Sequence, residues 1–106
     1  MGRNNRRNLR VLCGVPAGAE GARAPISGTC RNLSQGGMFF IGPTLPVGQN
    51  LEFWIQLPGG KITATGEVRY AFAYPEGGGV GVRFTRLAQD GLAILNAFIA
   101  GSPEAA

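Results

Sequence analysis

The run Leu51-Glu52-Phe53-Trp54-Ile55-Gln56-Leu57-Pro58-Gly59-Gly60-Lys61-Ile62-Thr63-Ala64-Thr65-Gly66-Glu67-Val68-Arg69-Tyr70-Ala71-Phe72 decides the fold class. Its apolar residues recur at every second position. Leu51, Phe53, Ile55 and Leu57 face one way, and Glu52, Trp54 and Gln56 the other, which is the period of a half-buried strand. Pro58-Gly59-Gly60 reads as a turn. The alternation then resumes over a long strand, Ile62 to Phe72. Ile62, Ala64, Val68, Tyr70 and Phe72 are expected inward, with Thr63, Thr65, Glu67 and Arg69 outward. Gly66, on the inner face, is read as a bend.

Working outward, the same grammar continues. Toward the C-terminus, Pro75-Glu76-Gly77-Gly78 is a turn, and Gly79 to Phe84 a last strand with Val80, Val82 and Phe84 inward. The Gly77–Gly81 cluster lacks the Lys-Ser/Thr ending of a phosphate loop and opens no helix, so it reads as a hairpin. The period then changes. Leu87 to Ala100 carries Leu92, Leu95 and Ile99 at helical spacing, with Gly101 as a C-cap and Pro103 as a stop. Toward the N-terminus, Met38 to Ile41 is a short buried strand, and Ala24 to Leu33 a strand with Ile26, Gly28 and Cys30 on one face. Pro16 to Gly21 is read as a loop, and Leu9 to Val15 as the first strand. The expected fold is mainly β: a six-stranded antiparallel β-barrel with one C-terminal α-helix.

Composition fits one domain. The chain has 106 residues, 44% hydrophobic and 15% charged, which sets it apart from disordered chains. The 18 Gly and 7 Pro fall between short apolar runs, as punctuation between strands. No apolar run approaches a membrane span, and no apolar segment follows the basic N-terminus, so the expected compartment is the cytoplasm. Cys13 and Cys30 are then expected as thiols, able to pair only if neighbouring strands bring them together.

Catalysis has little to draw on. The chain contains no His, the commonest general base and metal ligand. Its six acidic residues are scattered, and two Cys without His make no zinc site. The reading is a non-enzyme with no metal and no cofactor.

Charge points to an anionic ligand instead. The net charge is +4, and four of the ten basic residues, Arg3, Arg6, Arg7 and Arg10, lie in the first ten positions with no acid among them. All four are arginine, whose planar fork grips phosphate or a guanine edge with two bonds. Residues 1–10 are therefore read as a flexible basic arm, residues 9–100 as barrel plus helix, and residues 101–106 as a disordered tail.

Arg6-x-x-x-Arg10 stands just before the first strand, and Asn32-x-Ser34-x-x-Gly37 at the end of the second. Together they resemble the two signatures of the PilZ domain, a bacterial receptor module for cyclic di-GMP. Arg7 matches the extra Arg often found beside the first motif. Gly79-Val80-Gly81-Val82-Arg83-Phe84 looks like the family's last strand, and the helix follows in the expected place. The resemblance runs from about Arg6 to Ile99.

The resemblance implies a PilZ-like split barrel and a site made of Arg6, Arg7, Arg10, Asn32, Ser34, Gly36 and Gly37. Arg6 and Arg10 would be the main ligand arginines. Asn32 and Ser34 would hold a guanine edge, with Asn where many relatives have Asp. Gly37 would leave room for the ligand. Binding would order the arm against the barrel and alter an unidentified protein partner, in motility or biofilm regulation, with the terminal helix as the place for a homodimer contact. Two alternatives remain. One is a PilZ-like interaction module that binds no cyclic di-GMP. The other is a barrel for single-stranded nucleic acid, which needs exposed aromatic platforms. Placing Phe53, Tyr70, Phe72 and Phe84 inward argues against the second. Trp54 alone stands outward.

Overall fold

The structure, a computed structural model, describes residues 10–20, 25–74 and 77–102. Arg3, Arg6, Arg7 and Leu9 of the arm, and Pro103 beyond the helix, lie outside the described residues. Six strands form the barrel: β1 (Val11–Glu20), β2 (Ile26–Ser34), β3 (Gly37–Gly42), β4 (Asn50–Leu57), β5 (Gly60–Tyr74) and β6 (Gly77–Leu87), followed by α1 (Gln89–Ala100). They close in the order β1-β2-β3-β6-β5-β4, every pair antiparallel. Closure gives every strand two neighbours. No helix among the described residues is long and apolar enough to cross a membrane.

The inward faces fill the barrel. Leu51, Phe53, Ile55 and Leu57 of β4 are all buried, as the alternation requires, and meet Ile62, Ala64 and Val68 of β5 and Val80 and Val82 of β6. Phe40 and Phe53 pack edge to face, with ring centroids 6.4 Å apart. Gly66 faces inward because a β-carbon there would run into Val82 and Phe53. A register shift between Thr65 and Gly66 accompanies it.

Four expectations are corrected. Pro16 to Glu20 is not a loop but the second half of β1. Ala17 and Ala19 are buried there, and β4 begins to pair with β1 only at Ala17. Pro16 therefore sits where one side of the strand is still open, the position a strand proline tolerates. Tyr70 and Phe72 do not face inward: they are 43% and 51% exposed. A β-bulge between Val68 and Tyr70 moves the register by one residue, and a slip of one residue exchanges the faces of everything beyond it. Ala71 takes the position against the core in their place. Leu92 is 36% exposed, so the helix stripe runs through Gly91, Leu95 and Ile99 instead. Leu87, read as the helix start, belongs to β6.

The helix packs on β5 and touches β2 and β4. Gly91 sits against Leu87 and Ile62, and Leu95 is fully buried. Its first turn has no side-chain cap at Ala88, but Asp90 Oδ1 accepts the Gly91 N–H at 3.0 Å. At the other end Gly101 donates to Ala97 O with φ −84°, so it closes the helix without the left-handed turn expected of a C-cap glycine. The Ser102 hydroxyl donates back to Phe98 O at 2.9 Å.

Candidate functional site

The turn between β2 and β3 is built from its own side chain. Ser34 is buried, its Oγ accepts the Gly36 N–H at 3.2 Å, and it donates to Gly37 O at 3.4 Å. This is the local Ser bond that stabilises short turns. Gln35 reaches out of the turn and bonds the Asn96 side chain, tying it to the helix. The two glycines differ in kind. A β-carbon on Gly37 would fall onto the Val82 carbonyl, so this glycine is needed for β3 and β6 to lie together, not to make room for a ligand. A β-carbon on Gly36 would meet nothing within 4 Å. Gly36 borders open space.

That space is a cleft of about 330 Å³. Its walls include Arg10, Ser34 and Gly36 from the predicted site, together with Arg69, Tyr70 and Arg83. Arg10 leads into β1, and its Nη1 donates to Asn32 Oδ1 at 2.8 Å. The two motifs are thus joined by a hydrogen bond across the first strand pair. Asn32 uses its side-chain carbonyl to hold Arg10. Arg6 and Arg7 lie outside the described residues.

The sequence reading missed Arg69, Tyr70 and Arg83. Arg83 stands opposite Gly37 on β6, and Arg69 sits at the β5 bulge. Three guanidiniums therefore line one cleft. Among the described residues Arg69 makes a long ion pair with Glu67, 3.9 Å apart and partly exposed, which is weak enough for an anion to replace. Arg83 and Gly36 also border an adjoining cleft of about 560 Å³ that reaches Arg86.

Tyr70 forms an aromatic wall. Its ring lies over Gly81, its cross-strand partner, where a β-carbon would collide with the ring. Phe39, opposite Gly81 on the other side, stacks near Tyr70 with centroids 6.4 Å apart and planes 23° from parallel. Phe72 completes the shelf, 5.5 Å from Tyr70 and 6.3 Å from Phe39. Gly81 in the Gly-Val-Gly-Val run was the signal: a strand glycine leaves room for a neighbour's ring. Trp54 lies elsewhere, against Gly18, with Lys61 Nζ 5.3 Å from its ring centroid.

The cysteines meet behind this site. Cys13 Sγ and Cys30 Sγ are 3.6 Å apart, both as thiols. The Cys13 thiol bonding to Cys30, together with burial and the nearby Cys13 charge, pushes the Cys30 thiol far up, so it stays protonated.

A cleft lined by arginines and an aromatic ring thus lies on a closed six-stranded antiparallel barrel followed by one helix. The chain belongs to the PilZ domain family, which matches residues 4–101. Among solved structures it is similar to the inhibitor of motility MotI/DgrA of Bacillus subtilis, with TM-score 0.75 and 20% identity over 93% of this chain and 51% of that one. The chain therefore spans about half the length of that protein. It is also similar to the PilZ domain of YcgR from Escherichia coli with c-di-GMP, with TM-score 0.67 and 12% identity over 86% of each chain. No curated protein matches the sequence.

Proposed function

We propose that the chain is a non-catalytic receptor for cyclic di-GMP. The observation that carries this reading is the Arg10–Asn32 hydrogen bond at the mouth of a cleft lined by three arginines. Cyclic di-GMP carries two phosphates and two guanines. A guanidinium fork matches a phosphate or the O6/N7 edge of guanine, and its plane also stacks on a base. Arg10 takes one of these, aimed by Asn32. Arg69 and Arg83 take phosphate oxygens from the barrel wall, and the Tyr70 ring offers a face to a guanine. Ser34 acts mainly by closing the turn, because its hydroxyl is already engaged there.

Arg6 and Arg7 complete the grip from the arm. Ordering about six arm residues costs on the order of 6–12 kcal/mol of backbone entropy. Affinity is then moderate and falls with salt. The closed arm presents a new surface to a protein partner, a disorder-to-order switch acting in the bacterial cytoplasm on motility or biofilm formation. Titration calorimetry with cyclic di-GMP tests this. The parent binds, and Arg6→Ala and Arg10→Ala each lose most of the affinity. No heat at high ligand concentration sinks the reading and leaves an interaction module.

A second reading is favoured by one observation, the shelf of exposed Tyr70 and Phe72 with half-buried Phe39 beside arginines. Such a surface suits single-stranded nucleic acid. A short oligonucleotide that binds more tightly than cyclic di-GMP, and displaces it, would establish that reading instead.

A further inference from the structure

Cys13 lies in the β1 irregularity between Leu12 and Val15, and Cys30, the partner of Val15, lies where β2 shifts register before Asn32. The two irregularities turn the side chains toward each other across the strand pair. Cys13 Sγ donates to Cys30 O at 3.2 Å, and Cys30 Sγ donates to Asn32 O at 3.3 Å. The dithiol is therefore wired to Asn32, whose side chain aims Arg10. Cys13 is half-buried and Cys30 fully buried, so a small oxidant reaches Cys13 first.

We propose that Cys13 and Cys30 are a modification site: a hydroperoxide oxidises them to an intramolecular disulfide, which weakens ligand capture at Arg10 and Asn32. The coupling to ligand rests on the receptor reading above. The disulfide does not. In the first step the Cys13 thiolate attacks one peroxide oxygen, and the O–O bond breaks. This leaves Cys13 sulfenic acid and releases an alcohol, or water from hydrogen peroxide. In the second step the Cys30 sulfur attacks the Cys13 sulfur, the S–O bond breaks, and hydroxide leaves with the Cys30 proton as water. Two thiols lose two electrons and two protons, and the peroxide accepts both. A dithiol reductant reverses the change by exchange.

The consequence follows from distance. The sulfurs stand 3.6 Å apart, and a disulfide needs about 2.05 Å. They must approach by roughly 1.5 Å, which tightens the β1 irregularity only three residues after Arg10. Both S–H donors also vanish, including the one that holds Asn32 O. Arg10 and Asn32 then no longer share their reduced-state geometry. The expected loss is about tenfold in affinity, the worth of one charge-assisted hydrogen bond.

The test uses the whole chain, hydrogen peroxide and cyclic di-GMP. Thiols are counted by alkylation and intact mass, and the ligand is titrated into reduced, oxidised and re-reduced protein. Expected are joint loss of both thiols, a mass lower by two hydrogens, affinity about tenfold weaker, and recovery with dithiothreitol. Cys13→Ser forms no disulfide, and peroxide leaves its affinity unchanged. Cys30→Ala stops at the Cys13 sulfenic acid. The proposal is overturned if both thiols survive, if they oxidise separately to sulfinic acids, or if the disulfide forms with affinity unchanged. Should the reduced parent not bind cyclic di-GMP, the coupling falls with the receptor reading, and the thiol count and mass still decide the disulfide.

Discussion

Adding one methyl at Gly37, and separately at Gly36, distinguishes a fold glycine from a ligand glycine. Gly37 pairs with Ser34 on one side and Arg83 on the other. Its β-carbon would fall onto the Val82 carbonyl oxygen, with the Val82 carbonyl carbon at 3.1 Å and Arg83 Cα at 3.3 Å. All three are backbone atoms, so no side chain can rotate away, and β3 must separate from β6. Overpacking of this kind costs about 1–3 kcal/mol, and a backbone obstacle places Gly37→Ala near 3. Restricting the unfolded chain returns about 0.4–1 kcal/mol. For 106 residues the unfolding entropy makes each kcal/mol worth about 4–5 °C, so Tm should fall by roughly 10 °C. Gly36 has open space beside it and does not have a positive φ. Gly36→Ala should therefore melt at or up to about 4 °C above the parent while intruding on the ligand cleft. Thermal unfolding followed by far-UV circular dichroism, with cyclic di-GMP titration alongside, reads both effects. The reasoning is refuted if Gly37→Ala melts within about 2 °C of the parent, or if Gly36→Ala is the variant that unfolds.

Three further outcomes follow from the same geometry. Tyr70→Ala should weaken cyclic di-GMP binding by about tenfold or more, since stacking on one base is worth about 1–3 kcal/mol, while Tm drops by less than about 5 °C, because the ring is 43% exposed; equal affinities by calorimetry would remove the ring from the site. Leu95→Ala, at the fully buried centre of the helix face, should cost about 2–5 kcal/mol in urea unfolding, and a cost under about 1 kcal/mol would mean that the helix is not docked. Stability should also fall in alkali. The folded Cys30 thiol is pushed up and keeps its proton, while the unfolded thiol releases one above roughly pH 8.5, so the native state binds more protons there and loses stability as pH rises. Cys30→Ala should lack that part of the slope between about pH 8 and 10.5 in reducing buffer.

Regular alternation was legible where the strands are regular. Leu51 to Leu57 shows its inner face without ambiguity, because no bulge interrupts β4. The Ser34–Gly37 turn and Arg10 were read as a candidate site through their resemblance to the PilZ motifs, which could not show that Ser34 spends its hydroxyl on the turn or that Gly37 serves β6. The Pro16–Glu20 error has a simple cause: small residues and a proline look like a loop, yet small residues are what β1 needs where it lies between β2 and β4. At Gly18 the reason is concrete, since the Trp54 ring occupies the space of a side chain. Tyr70 and Phe72 were misplaced because alternation carries no information about an inserted residue.

Three of the four register shifts among the described strands gather around the candidate site, between Leu12 and Val15, between Cys30 and Asn32, and between Val68 and Tyr70, while the fourth, between Thr65 and Gly66, lies toward the core. The first follows Arg10, the second precedes the Asn32 that receives it, and the third turns Tyr70 and its neighbour Arg69 onto the cleft wall. A perfectly alternating barrel would have sent Tyr70 into the core and left a smooth outer face. Each bulge breaks the ladder locally and re-aims a side chain, and such features cluster where proteins bind or react. The regular strands supply stability through buried aliphatic and aromatic residues, and the bulges shape the candidate cleft. Deleting Arg69 should therefore remove the bulge while Tyr70 stays opposite Gly81 on the outer face, so the cleft loses one of its three arginines and the barrel stays closed. Weakened cyclic di-GMP binding at retained β-sheet circular dichroism would separate the geometry of the cleft from the stability of the fold, and unchanged binding would remove the bulge from the site.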